Sequence, residues 1–200
     1  MNARKIVDIL LEDEDFDMEG YAIAALTPEE AFNMAYSNPE LRPTLERVIA
    51  KSVTYSYWYA KDVLGCKPFP VGEPTIATAA KISYMYASHV LRGPFPLGEP
   101  AIATDAEISY DYALNVLKRK PFPAGEPAIA TNAGYSYEYA IEVLKCKPFP
   151  LGEPAIAMDW AYACDYAIHV LKGPFPAGEP AIATNRYDAK EYNKKFGTNI

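Results

Sequence analysis

From about residue 46 onward, apolar and polar positions follow a fixed order that returns every 26 or 27 residues, and each period reads as two helices of unequal length. In the third period Ser109, Tyr112, Ala113, Val116 and Leu117 stand at i, i+3, i+4, i+7 and i+8, the apolar stripe of an amphipathic helix. Asp105 precedes the stripe as N-cap, and Ser52, Asn132, Asp159 and Asn185 hold the same place in other copies; their side chains accept bonds from the orphan N–H groups of a first turn. The spacing predicts a long helix of about twelve residues in each copy. Upstream, Glu-Pro-Ala-Ile-Ala predicts a separate short helix, with proline pre-set for its first turn and glutamate at the positive end of its dipole. Downstream, Pro-Phe-Pro cannot continue a helix and predicts an extended connector whose phenylalanine pins the loop to the core.

The string PFPxGEP begins at Pro68, Pro94, Pro121, Pro148 and Pro174, and its glutamates are Glu73, Glu99, Glu126, Glu153 and Glu179. One further step back lands on Glu46, where ERVIAKSVTYSYWYAKDVL is a degenerate sixth copy with Arg47 in the proline column. Isoleucine follows each glutamate by three positions (Ile49, Ile76, Ile102, Ile129, Ile156, Ile182), and tyrosine stands ten beyond it (Tyr59, Tyr86, Tyr112, Tyr139, Tyr166, Tyr192). A single unit cannot bury its own apolar face, so neighbours must complete the core. The expected fold is an all-α solenoid of about six two-helix repeats, roughly 50–60 Å long at a helix spacing of about 8–10 Å. Residues 1–45 are expected to be an acidic N-terminal leader and helical cap, residues 46–185 the repeats, and residues 186–200 a C-terminal capping helix. In the last unit Lys190, Asn193 and Gly197 replace apolar columns, the polar outer face that a terminal repeat needs.

The pattern YxYAxxVLKxPFPxGEPAIAT, over about residues 46–197, resembles uncharacterised short-period helical-repeat proteins of bacteriophages and some bacteria. The resemblance implies a phage-type origin and a role in subverting a host; it brings no biochemical activity with it.

Charge is uneven. Residues 1–20 hold seven acids against Arg4 and Lys5 and supply −5 of the net −7, while the repeats are close to neutral for their size. Lys118-Arg119-Lys120 is the one local basic cluster, so a nucleic-acid partner held by phosphate neutralisation is disfavoured. No stretch approaches the roughly 18–20 apolar residues of a membrane span, and the start of the chain turns acidic where a signal peptide would be apolar. These features predict no membrane association and a cytoplasmic location, the host cytoplasm if the protein is phage-encoded. Cys66, Cys146 and Cys164 show no CxxC spacing and predict reduced thiols without zinc or a disulfide.

Reactive groups are sparse. His89 and His169 share one column three copies apart, as do Cys66 and Cys146, and neither pair is expected to meet. Asp165 and His169, at i and i+4, are expected to form a surface helical pair, and Cys164 is expected to be a buried small apolar residue. The glutamate column reads as charge at helix termini: one carboxylate per layer makes no multidentate metal site and is spaced too widely to mimic phosphates. The fixed tyrosines read as core, each hydroxyl satisfied by a backbone carbonyl of a Pro-Phe-Pro connector. No P-loop, zinc, triad or paired-carboxylate spacing appears, which points away from an enzyme and from a cofactor.

Recognition is expected on the columns that change between copies. They are Tyr55, Trp58 and Asp62; Ile82, Met85 and His89; Ile108, Asp111 and Asn115; Tyr135, Glu138 and Glu142; and Tyr162, Asp165 and His169, each triplet at i, i+3, i+7 opposite the stripe. A face that mixes aromatic and acidic side chains suits a protein partner or a basic peptide. The expected function is a non-catalytic protein-interaction module, a phage-encoded inhibitor of a host or defence protein. The alternative is a nucleotide or single-stranded nucleic-acid binder that stacks bases on tyrosines and holds phosphate with Lys118, Arg119, Lys120, Lys145, Lys147 and Lys172. Self-association through the aromatic end is a further option, and the acidic EDEDFDMEG segment is either a solvated leader or a docking element for a basic surface.

Overall fold

A computed structural model describes residue 23 and residues 25–200; the acidic leader lies outside the described residues. No strand occurs among the described residues, and no described helix is long and apolar enough to cross a membrane. The chain divides into two compact units at Gly98/Glu99.

The first unit opens with α1 (Pro28–Ser37), whose start is a capping box: Glu30 N–H donates to Thr27 Oγ1 at 3.2 Å, and Thr27 N–H donates to the Glu30 carboxylate at 2.9 Å. A 3₁₀ turn over Pro39–Leu41 leads into α2 (Arg42–Ile49), the short helix of the degenerate first copy, which begins four residues before Glu46. The long helix α3 (Val53–Trp58) continues as π-helix over Tyr59–Val63, and the pair recurs as α4 (Glu73–Ile76) and α5 (Ala80–Met85) with its π-helical extension Tyr86–Leu91. The second unit repeats this four times: α6 (Glu99–Ile102) with α7 (Ala106–Asp111) and π-helix to Val116; α8 (Glu126–Ile129) with α9 (Ala133–Glu138) and π-helix to Val143; α10 (Glu153–Ile156) with α11 (Trp160–Asp165) and π-helix to Leu171; and α12 (Glu179–Ile182) with α13 (Arg186–Phe196). Within each unit a long helix packs on the following short helix and on the next long helix, the repeat-on-repeat arrangement of a helical solenoid.

The expected caps form. Asp105 accepts from Ile108 N–H at 2.9 Å and Asn132 from Tyr135 N–H at 3.0 Å, with Ser52, Asp159 and Asn185 in the same role. The long helices have the expected length, but their second half is wider than the α-helix the stripe implies. Leu117 and Leu144 donate to the carbonyls of Tyr112 and Tyr139, five residues back, each at 2.9 Å. Each widened turn ends in left-handed residues, and their number accounts for the two repeat lengths. Copies of 27 residues carry two in succession (Gly65-Cys66, Lys118-Arg119, Lys145-Cys146), whereas copies of 26 carry one, Arg92 or Lys172.

The fixed tyrosines are fully buried, as expected, but their hydroxyls are satisfied differently from the expectation. The connector offers its N–H rather than a carbonyl: Phe69 N–H donates to Tyr86 Oη at 2.8 Å, and Phe122, Phe149 and Phe175 donate to Tyr139, Tyr166 and Tyr192 at 2.9, 2.8 and 2.6 Å. Each hydroxyl then donates onward to the glutamate that opens its own repeat, at 2.8 Å from Tyr86 to Glu73 and 2.9 Å from Tyr139 to Glu126. The glutamate column is therefore a set of buried-end acceptors as well as helix-terminal charge. Phe69, Phe122, Phe149 and Phe175 lie in the core, and the glycine after each Pro-Phe-Pro is required by that packing: a Cβ on Gly125 would stand 2.5 Å from the Phe122 ring and 2.7 Å from Ser109 Cβ. Buried serines complete the interior, Ser109 Oγ and Ser136 Oγ donating to the carbonyls of Ile102 and Ile129 at 2.9 and 3.0 Å.

Two stability outcomes follow from this geometry. Tyr139→Phe leaves the buried Phe122 N–H without its acceptor and is expected to cost about 1–3 kcal/mol in urea unfolding, with helicity by circular dichroism retained. Ala79 occupies the cap position of α5 in extended backbone but has no side chain to accept a bond; Ala79→Asp is expected to raise stability by about 1 kcal/mol in the same assay.

Candidate functional site

With tyrosine, glutamate, phenylalanine, glycine and serine columns committed to the scaffold, the changing columns form what remains of the long-helix surface. In the first unit they begin with an aromatic cluster. Tyr55 lies 5.6 Å from Phe32 of α1 and 5.6 Å from Trp58, edge-on to the latter, and the Trp58 ring is 6.4 Å from Phe32. Trp58 keeps 40% of its surface exposed and Tyr36 of α1 61%, whereas Tyr55 is half-buried. Asp62 is exposed beside Lys61 at 3.8 Å, Ile82 and Met85 are half-buried, and exposed His89 accepts or shares a hydrogen bond with Tyr57 Oη through Nδ1 at 2.8 Å.

In the second unit the face is acidic. Asp111 and Ile108 are half-buried and Asn115 is exposed, its carbonyl accepting from Lys118 Nζ at 2.7 Å. Tyr135 rests on Tyr110 at 5.8 Å and Tyr162 on Tyr137 at 5.9 Å, so both tyrosines expected on the free face are in fact packed against the preceding repeat. Burial first and then the Glu138 carboxylate push the Tyr110 hydroxyl above the ordinary phenol range, and Glu142 forms an ion pair with Arg119 of the repeat before it. The anticipated Asp165–His169 pair forms at 3.9 Å with both side chains about half exposed. Cys164 is buried as expected, and burial, followed by the nearby Asp188, Asp165 and Glu191 carboxylates, pushes its thiol up to about 11. Cys66 and Cys146 are free thiols.

Burial and neighbouring carboxylates oppose the ionisation of two acids here. Burial first, then Glu107 and Glu138, hold the Asp111 carboxyl above the ordinary range; burial, Asp165 and Glu191 do the same for Asp188. Among the described residues no group of three or more histidine, cysteine, aspartate or glutamate side chains could hold a metal ion. Two contributors were missed at the level of sequence. One is the tyrosine column two residues before the fixed one (Tyr57, Tyr84, Tyr110, Tyr137), where Tyr57 bonds His89 of the next repeat and Tyr110 and Tyr137 pack on Tyr135 and Tyr162; its regular recurrence was the available signal. The other is Arg119, which reads as part of a basic loop but reaches forward to Glu142 of the next repeat.

No protein-family model, curated protein or solved structure matches the chain.

The raised carboxyl of Asp111 has a testable consequence. A carboxyl whose folded-state pKa lies above its unfolded value adds stability as pH falls and subtracts it at neutral pH. Asp111→Asn is expected to raise the melting temperature at pH 7, and the difference from the parent protein to shrink as pH falls through the carboxylate range.

Proposed function

We propose that the protein is a non-catalytic protein-interaction module that recognises its partner through the changing helix face. The observation that supports this most is the separation of roles in residues 99–200. The fixed columns are spent on the Phe–Tyr–Glu hydrogen bonds and on core packing, while Glu138 and Asp165 stand exposed, with Asp111 and Glu142 half-buried beside them. A run of carboxylates on a rigid helical scaffold, interleaved with tyrosines, suits a partner with a basic surface. The finer reading is a phage-encoded inhibitor of a host or defence protein, resting on the repeat's resemblance to phage-type helical repeats.

The nucleotide or single-stranded nucleic-acid alternative draws less support. Arg119 pairs with Glu142, Lys118 bonds the carbonyl of Asn115, and the tyrosines that would stack on bases are packed on one another.

Because Tyr135 and Trp58 also pack within the fold, charge-neutralising variants separate recognition from stability better than their truncation does. The test is capture from host-cell lysate with the parent protein and with the combined variant Asp111→Asn, Glu138→Gln, Asp165→Asn. A stoichiometric protein retained by the parent and lost by the variant, at unchanged helicity, is the expected result. Equal retention by both, or recovery of nucleic acid alone, would overturn the reading.

A further inference from the structure

A cleft of about 360 Å³ opens between the third and fourth repeats, lined by Tyr110, Leu114, Arg119, Tyr137, Glu138, Ile141 and Glu142. Tyr110, Tyr137, Leu114 and Ile141 supply its apolar walls, and Glu138 and Glu142 its charge. Both carboxylates line the opening, and Arg119 stands against Glu142. The cleft thus already holds one guanidinium, the chain's own.

Nothing in the scaffold asks for arginine at that point. Arg119 sits in the second of two consecutive left-handed residues, a position that the first and fourth copies fill with Cys66 and Cys146. Backbone geometry there is common to the 27-residue copies, whereas the side chain that reaches the next repeat's carboxylate belongs to this copy. The Arg119 side chain is 60% exposed and that of Glu142 37%, so the pair is solvent-screened and weakly held. A guanidinium arriving from outside would exchange one such pair for another and lay its aliphatic stem along the apolar walls of Leu114 and Ile141.

We propose that this cleft is a pocket for an arginine side chain of the partner protein, with Arg119 as an internal stand-in that the incoming arginine displaces from Glu142. The proposal rests on the interaction-module reading and names the side chain by which the partner is read. Charge complementarity selects the occupant: the cleft presents two carboxylates against one cation, and that cation, Arg119, is the displaceable one.

The test is an NMR titration of the full chain with acetyl-Gly-Arg-Gly-amide, and with acetyl-Gly-Gln-Gly-amide as the neutral counterpart. Arg119→Ala is expected to bind the arginine peptide about five-fold more tightly than the parent protein, with shifts at Ile141 and Leu114, and Glu142→Gln to lose that binding. Both side chains are substantially exposed, so the melting temperatures of the variants should stay close to that of the parent. Equal binding of the two peptides by Arg119→Ala, or arginine binding that survives Glu142→Gln, would overturn the pocket. The titration needs no captured partner, so its result is independent of the lysate experiment. A captured protein held equally by the parent and by Glu142→Gln would overturn the pocket while leaving the wider face in place.

Discussion

A tyrosine hydroxyl buried among apolar side chains has to give and receive a hydrogen bond, and in this protein both partners come from segments that would otherwise be unanchored. The connector's phenylalanine N–H, which Pro-Phe-Pro withholds from any helix, finds its acceptor in the tyrosine of the next repeat. The glutamate that opens each short helix accepts a hydrogen bond from the tyrosine hydroxyl thirteen residues downstream. One side chain thereby joins a loop, a short helix and a long helix. The cost of burying a polar group makes this network demanding as well as stabilising, since deleting any member strands another. Burial pushes the pKa of Tyr59, Tyr86, Tyr139 and Tyr166 above the ordinary phenol value, so these hydroxyls are protonated donors at neutral pH.

The rest of the repeat is arranged around that join. Phenylalanine rings stand about 5 Å from the tyrosine rings, 4.8 Å for Tyr59 and Phe69 and 5.1 Å for Tyr139 and Phe149, and glycine is needed where the phenylalanine edge meets the connector. The long helix widens to π-helix from the tyrosine onward, and the left-handed residues that close it vary between one and two. A change in repeat length is therefore absorbed in an exposed turn, leaving the tyrosine, phenylalanine and glutamate in register.

Such economy leaves the remaining helix surface free to change, yet the structure narrows how free it is. Tyr135 and Tyr162 vary in the sequence sense but pack on the tyrosines of the preceding repeat, and Tyr55 and Trp58 pack with Phe32. What this face presents in residues 99–200 is accumulated carboxylates more than exposed aromatic area, with Asp111 held above its ordinary range by burial and by its neighbours.

The sequence by itself determined the helical-repeat fold, the helix starts, the core columns and the residues of the changing face. Periodic apolar spacing, caps such as Asp105 and Asn132, and the punctuation of Pro-Phe-Pro are local signals that act over a few residues of chain. Tertiary structure alone decided the direction of the tyrosine bonds, the acceptor role of glutamate, the π-helical widening and the pairing of Arg119 with Glu142. Each joins atoms of residues separated by a helix or more, or depends on how a turn closes under packing. Spacing along one helix carries no information about which polar atom of a neighbouring segment will meet a buried hydroxyl or an exposed carboxylate.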